Sequence, residues 1–198
     1  MADRSPTLPA PPDANWRKAE RRRLVAARLA LSDGARVAAS AAIETALAAR
    51  VPPGAYPVLA GYWPIQGEWD PLPYLTRTLA AGGAVALPVA RRPAAPLEFR
   101  LWTADAPMTA GLWGLPHPAD GAVVTPSALL IPLVGFDGRG HRLGNGGGYY
   151  DRTLAALSPR PLAIGVGFEL GRLGSIAPEA HDQPMDLIVT EAGVQSIN

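Results

Sequence analysis

The segment Arg139-Gly-His-Arg-Leu-Gly-Asn-Gly-Gly-Gly-Tyr-Tyr-Asp-Arg152 sets five glycines before two aromatics, a carboxylate and a guanidinium. Glycine reaches left-handed backbone conformations and puts no side chain between the backbone and a ligand. Such a loop can bring N–H groups up to a phosphate. Arg142 and Arg152 add positive charge, Tyr149 and Tyr150 add stacking surface, and Asp151 adds a metal ligand. No Gly-Lys-Ser/Thr ends the loop, so it is not the usual P-loop. Gly144-Asn-Gly146-Gly-Gly148 lacks the dinucleotide-binding spacing, and no ribose-binding acid stands about 20 residues on. A tight glycine turn is the plain alternative. The crowding of cationic, aromatic and acidic groups favours a phosphate-binding role.

Three other places carry chemistry. Glu68 follows Tyr62-Trp63-Pro64 in a polar loop, where a glutamate is ordinarily just solvated. An aromatic wall plus an acceptor carboxylate would also suit a planar heteroaromatic ligand. Near the amino terminus, Arg17, Lys18, Arg21, Arg22, Arg23 and Arg28 stand against one acid, Glu20. Charge runs of this kind are usually solvated helix faces. Asp151 and Asp186 are the metal candidates, since Mg²⁺ takes one or two protein carboxylates and fills its octahedron with phosphates and water. Asp151 could equally cap a helix, Arg142 could pair with a surface acid, and Tyr149 and Tyr150 could be core aromatics. His117, His141 and His181 are too scattered to form a zinc set.

Short elements must position these groups. A basic helix is expected over Asn15–Leu31, capped by Asp13 or Asn15, and a second from Ser32 through Val37–Arg50. Strand-length apolar runs occupy Pro57–Trp63, Ala84–Val89, Leu97–Trp102, Ala128–Val134, Leu162–Val166 and Asp186–Thr190. Asp70–Ala81 and Thr153–Leu157 read as helices, and Pro107–Ala119 as irregular chain. Strands alternating with helices imply one α/β domain over residues 15–198: a mostly parallel sheet flanked by helices on both faces, a Rossmann-like three-layer sandwich. Ligands of such sheets bind at the carboxyl edge, where Gln66–Asp70, Arg139–Arg152 and Phe168–Asp182 would gather.

The stretch Phe136-Asp137-Gly-Arg-Gly140-His-Arg142-Leu143-Gly144-Asn-Gly146-Gly-Gly148-Tyr149-Tyr150-Asp151 resembles the signature of the 5-formyltetrahydrofolate cyclo-ligases, or 5,10-methenyltetrahydrofolate synthetases. That signature reads Phe-Asp-x-x-Gly-x-Arg-Leu-Gly-x-Gly-x-Gly-Tyr-Tyr-Asp. Trp16–Leu24 with Arg28–Ser32, Tyr62–Glu68 and His181–Glu191 are similar to further family blocks, so the resemblance spans roughly residues 15 to 192. It implies an ATP- and Mg²⁺-dependent conversion of 5-formyltetrahydrofolate and its polyglutamates to 5,10-methenyltetrahydrofolate, ADP and phosphate. The formyl oxygen would attack the γ-phosphate to give an N5-iminium phosphate, and N10 would then close the ring.

The resemblance also assigns roles. ATP would be held by Arg17 and Arg21, or in the offset register by Lys18 and Arg22, together with Arg142, Leu143, Gly144, Asn145, Gly146, Gly147, Gly148, Tyr149 and Tyr150. Trp63, Glu68 and the stretch Asn145–Tyr149 would face the folate, Asp151 and Asp186 would hold Mg²⁺, and Arg142, Tyr149 and Asp151 would be catalytic. Many relatives carry a basic residue at the position of Asn145 or Gly147. Its absence here shifts phosphate charge onto Arg142, Arg152 and the basic helix. The rival readings are another ligand in the same fold and a non-catalytic nucleotide- or RNA-binding module.

Composition bounds the rest. The 198 residues suffice for one sizeable domain, and the net charge of +1 gives no global reason to expect a polyanionic partner. The basic helix lacks the interleaved aromatics of a surface that stacks single-stranded RNA. No cysteine occurs, and no apolar run reaches the roughly 20 residues of a membrane span. A cytoplasmic monomer without nucleic-acid or membrane partners is the expectation. Prolines at 6, 9, 11 and 12 predict a disordered, extended head over residues 1–14.

Overall fold

A computed structural model describes residues 15–197; the head predicted over residues 1–14 lies outside them. Twelve strands and four helices follow one another as α1 (Trp16–Leu29), α2 (Asp33–Arg50), β1 (Val58–Ala60), α3 (Leu72–Ala80), β2 (Ala84–Val89) and β3 (Glu98–Leu101). Then come β4 (Met108–Ala110), β5 (Pro116–Pro118), β6 (Ala128–Pro132), β7 (Gly135–Asp137), β8 (Arg142–Leu143), α4 (Tyr149–Ala156), β9 (Leu162–Val166), β10 (Arg172–Leu173), β11 (Leu187–Thr190) and β12 (Gly193–Ser196).

The main sheet runs β12-β11-β9-β6-β1-β2-β3. Its five inner strands are parallel, and the edge strands β3 and β12 pair antiparallel. The chain enters at β1, winds out to β3, then returns beside β1 as β6 and winds the other way. β1 and β6 therefore flank the topological switch point, where open α/β sheets bind ligands.

Alternation along each strand divides the core in two, because successive side chains point to opposite faces. Leu59, Val85, Leu87, Leu130 and Ile164 pack under Ile43 and Leu47 of α2 and Tyr74 and Leu75 of α3. Ala60, Ala86, Leu129, Ile131 and Ala163 pack on the opposite side against Leu154 of α4 and Phe136. The three-layer expectation holds. Helix α1 belongs to neither layer; its Leu24 lies over the carboxyl edge, in a small cluster with Val134, Leu143 and Ile176.

Local signals explain most helix ends. Ser32 Oγ accepts the Ala35 N–H at 3.3 Å and starts α2. Asp70 Oδ1 accepts the Leu72 N–H at 2.9 Å at the head of α3. The sequence predicts none of the short strands β7, β8 and β10, which pair in a separate sheet, and its expectation differs in four further places. Helix α4 begins at Tyr149 rather than Thr153, because Gly148 (φ 62°) ends the loop directly in a helical turn. β1 is shorter than the apolar run Pro57–Trp63 because the chain turns away after Gly61, where any Cβ would sit 2.4 Å from Leu75 Cδ1. Pro107–Ala119 is not irregular: it holds the β4–β5 hairpin, with Met108 opposite Pro118. The edge strand β12 has no counterpart among the expected strands, its alternating half-buried pattern being too short to stand out. No helix among the described residues is long and apolar enough to cross a membrane.

Leu130→Ala, at a fully buried position of the larger core, should lower the unfolding free energy by about 2–5 kcal/mol. Ser32→Ala should cost about 1 kcal/mol. Urea titrations of the two variants should show this ranking.

Candidate functional site

Beyond the carboxyl ends of β1 and β6 opens a cavity of about 800 Å³, within the range of small-molecule sites. One wall is the glycine loop and the first turn of α4. Arg21 Nε donates to Gly144 O at 2.8 Å and Arg152 Nη1 to Gly147 O at 2.7 Å, so two guanidinia hold the loop by its carbonyls. Gly146 (φ 92°) and Gly148 (φ 62°) take conformations that L side chains rarely adopt. At Gly147 a Cβ would lie 2.7 Å from the Tyr149 ring. The α4 N-terminus leaves first-turn N–H groups without helical partners, the donors a phosphate needs.

Arg142 is buried and spans two segments: Nη1 donates to Gln183 O at 2.8 Å and Nη2 to Asp151 Oδ1 at 2.9 Å. Burial pulls its pKa down, and the Asp151 charge partly opposes this. The same Asp151 oxygen accepts the Gln183 N–H at 3.0 Å, while Oδ2 takes no hydrogen bond among the described residues. A carboxylate pinned through one oxygen and open at the other suits a divalent cation that completes its shell with phosphate and water. No group of three or more His, Asp or Glu side chains gathers as a preformed cage among the described residues.

The opposite wall carries Glu68, which is 9 % exposed. Its Oε2 accepts the Ile65 N–H at 3.1 Å and its Oε1 accepts Asn145 Nδ2 at 3.2 Å. Burial raises its pKa above the ordinary value; those two hydrogen bonds and the Arg28 charge oppose the shift. Trp63 lines the cavity beside it. The Tyr62 hydroxyl donates to Trp69 O at 2.8 Å and is kept protonated by burial. The Tyr150 phenol is also pushed up by burial, with the Glu68 charge adding to the effect.

Helix α1 supplies the cationic side. Arg17, Lys18 and Arg21 line the cavity, whereas Arg22 does not. Arg17 is already paired, with Glu179 and Asp182 each at 3.0 Å. Lys18 has no hydrogen bond or ion pair among the described residues. The cavity lining thus combines the two expected registers, taking Arg17 and Arg21 from one and Lys18 from the other.

Most expected site residues are brought together: Arg17, Lys18, Arg21, Trp63, Glu68, Arg142, Gly144, Asn145, Gly146, Gly147, Gly148, Tyr149, Tyr150 and Asp151 share the cavity. Two are not. Leu143 is fully buried against Leu24, so its side chain is core. Asp186, expected beside Asp151, stands at the amino end of β11, off the cavity. There it pairs with Arg160 at 2.8 Å and accepts the Ala163 N–H at 2.7 Å. The shared two-aspartate site expected from sequence is therefore not formed. Its reason is topological: β11 runs parallel to β9, so its first residue lies at the edge opposite the cavity.

Trp113 was not among the expected residues. It lines the cavity from the tip between β4 and β5, is 66 % exposed, and meets Tyr149 edge-to-face at 5.5 Å. Its φ of 56° is left-handed, an uncommon cost for a tryptophan. A tryptophan followed by glycine in a proline-rich stretch was the only available signal, hidden because the segment read as irregular.

With this geometry in place, comparison with known proteins is decisive. A model of the 5-formyltetrahydrofolate cyclo-ligase family matches residues 13–191. The chain belongs to that family. It is 34 % identical over 142 residues to a 5-formyltetrahydrofolate cyclo-ligase of Mycolicibacterium smegmatis, covering 67 % of this chain and 72 % of the relative. With that of Escherichia coli K12 it shares 30 % identity over 143 residues, covering 69 % and 79 %. The solved structure of Aquifex aeolicus 5,10-methenyltetrahydrofolate synthetase superposes with a TM-score of 0.80 at 27 % identity, over 92 % of this chain and 93 % of that one. A synthetase from Mycoplasma pneumoniae has the same fold, with a TM-score of 0.72 at 24 % identity over 88 % and 98 % of the two chains. The chain is thus an enzyme of the cyclo-ligase family, and the family and its relatives support cyclo-ligase activity.

The raised Glu68 pKa gives a pH prediction. A group whose pKa is raised by folding lends stability below its ordinary value of 4.5 and loses it as pH climbs through the folded value. Glu68→Gln removes that penalty. The stability of the variant relative to the parent should grow as pH rises above 4.5, as urea midpoints measured across the acid-to-neutral range would show.

Proposed function

We propose that this chain closes the ring of 5-formyltetrahydrofolate with ATP and Mg²⁺, releasing 5,10-methenyltetrahydrofolate, ADP and phosphate. The observation that carries this reading is the hydrogen bond from Asn145 to Glu68. It joins the loop that would cradle phosphate to the carboxylate that would hold the pterin. A phosphoryl group can pass from a polyphosphate to a folate oxygen only if the two subsites meet, and this bond supports their adjacency.

In the proposed reaction the formyl oxygen attacks the γ-phosphorus and the bond to ADP breaks, leaving an N5-iminium phosphate. N10 then adds to the activated carbon and gives up its proton, and the C–O bond breaks so that phosphate leaves, taking up that proton. Little covalent work falls to the protein; positioning and charge neutralisation dominate. Lys18, Arg21 and the loop N–H groups would hold the polyphosphate. Arg142 fixes Asp151, whose free Oδ2 would hold Mg²⁺, which supplies charge neutralisation when bound. Glu68 would accept pterin N–H groups beside Trp63, and Trp113 with Tyr149 would provide an aromatic wall for the rest of the folate.

Purified protein should produce methenyl absorbance only when 5-formyltetrahydrofolate, ATP and Mg²⁺ are all present. Glu68→Gln and Asp151→Asn should each lower kcat/KM by about a hundredfold or more. A folded protein that binds ATP and shows no such absorbance would overturn the proposal.

A further inference from the structure

Between Trp63 and Glu68 the chain makes a turn that its own residues do not favour. Gln66 has φ 50° and Gly67 has φ 71°, and a left-handed glutamine persists only where its surroundings hold it. Two arginines do so. Arg28, in the last turn of α1 and 3 % exposed, donates from Nε to Gln66 O at 3.1 Å and from Nη1 to Leu133 O at 3.2 Å. Arg36, near the start of α2, donates from Nη1 to Gly67 O at 2.9 Å and from Nη2 to the Arg28 carbonyl at 2.7 Å. Consecutive carbonyls of the turn are thus each gripped by a guanidinium. The second guanidinium also grips the backbone of the first, and the first is tied to the chain leaving β6. At Gly67 the fit is close: a Cβ would lie 3.1 Å from both Arg36 Nη1 and Leu29 Cδ2.

Arg28 is costly where it stands. Among the described residues it forms no ion pair and its buried Nη2 has no partner, and burial lowers its pKa. A buried guanidinium facing only carbonyls is poorly compensated, and an apolar side chain would serve the core better. The acid that feels its charge is Glu68. The backbone it fixes is the turn that aims Glu68 into the cavity, where the Glu68 N–H returns to Ile65 O at 2.9 Å and closes the loop.

We propose that Arg28 and Arg36 are positioning residues for the folate subsite: together they lock the Gln66–Gly67 turn so that Glu68 is presented in one orientation with positive charge behind it. The inference deepens the assignment of Glu68 to the folate and rests on that reading. Neither arginine lines the cavity, so both act through Glu68 rather than on the substrate.

The test uses Arg36→Gln, at a partly exposed position. Calorimetric titration with 5-formyltetrahydrofolate alone should show Arg36→Gln weakening the folate roughly tenfold, the scale of one charge-assisted hydrogen bond, with ATP affinity within about twofold of the parent. In a Glu68→Gln background the same substitution should weaken the folate no further. Amide exchange at Ile65 and Glu68 should accelerate about tenfold in Arg36→Gln while that of Leu130 in β6 stays unchanged. Equal loss of both affinities, or additivity with Glu68→Gln, overturns the proposal. Unchanged exchange at Ile65 and Glu68 overturns the clamp by itself. A parent that never makes the methenyl product overturns the reaction assigned above, while the exchange measurement still decides the clamp.

Discussion

Parallel pairing of β1 with β6, Leu59 opposite Ala128 and Ala60 opposite Leu129, is the constraint on which the site depends. The two strands are far apart in sequence and adjacent in space, and both end at the same edge of the sheet. The chain leaves each in a loop, one carrying Glu68 and the other the glycines. Because the windings diverge from this pair, no crossing helix covers the gap between the loops. Helix α1 closes it from above, with Leu24 and Arg28 pointing inward and Arg17, Lys18 and Arg21 on the cavity side.

The charges of the site are largely committed before any ligand arrives. Arg142 is spent on Asp151 and Gln183, Arg17 on Asp182 and Glu179, and Arg21 Nε on a loop carbonyl. These pairs hold the guanidinia in defined orientations around the cavity. They also distinguish the cations: among the described residues Lys18 has no ion pair, whereas Arg17 has two carboxylate partners. With asparagine at 145, this chain holds Glu68 through an amide dipole rather than an ion pair. That leaves burial as the larger influence on its proton.

Much of the site was legible because its chemistry is concentrated in short, contiguous segments. The glycine loop, the Glu68 loop and the basic helix each announce themselves by residue type, and each lines the cavity. What could not be read depends on direction and depth. Whether Arg17 or Lys18 faces the cavity is a question of helix rotation by one residue, and both do. Leu143 sits within the motif yet turns inward, as alternate residues of a strand must. Asp186 opens a strand, but a strand has two ends, and sequence does not say which edge the first residue occupies. Trp113 and the clamping role of Arg28 were invisible because each matters only through a neighbour distant in the chain, Tyr149 in one case and Gln66 and Leu133 in the other.

By itself, then, the sequence determined the class of fold, the order of its four helices and of six strands of the main sheet, and the chemical kinds of group in the site. Those follow from local propensity, hydrophobic period and motif, which are properties of neighbouring residues. Tertiary structure alone decided which of the two expected aspartates lies in the cavity, that Lys18 has no ion pair among the described residues while Arg17 has two, and how a disfavoured turn at Gln66 is held. Each of these is settled by long-range hydrogen bonds and burial. Their energies depend on what the folded chain brings within about 3 Å of a given atom, and the linear order of residues does not specify that.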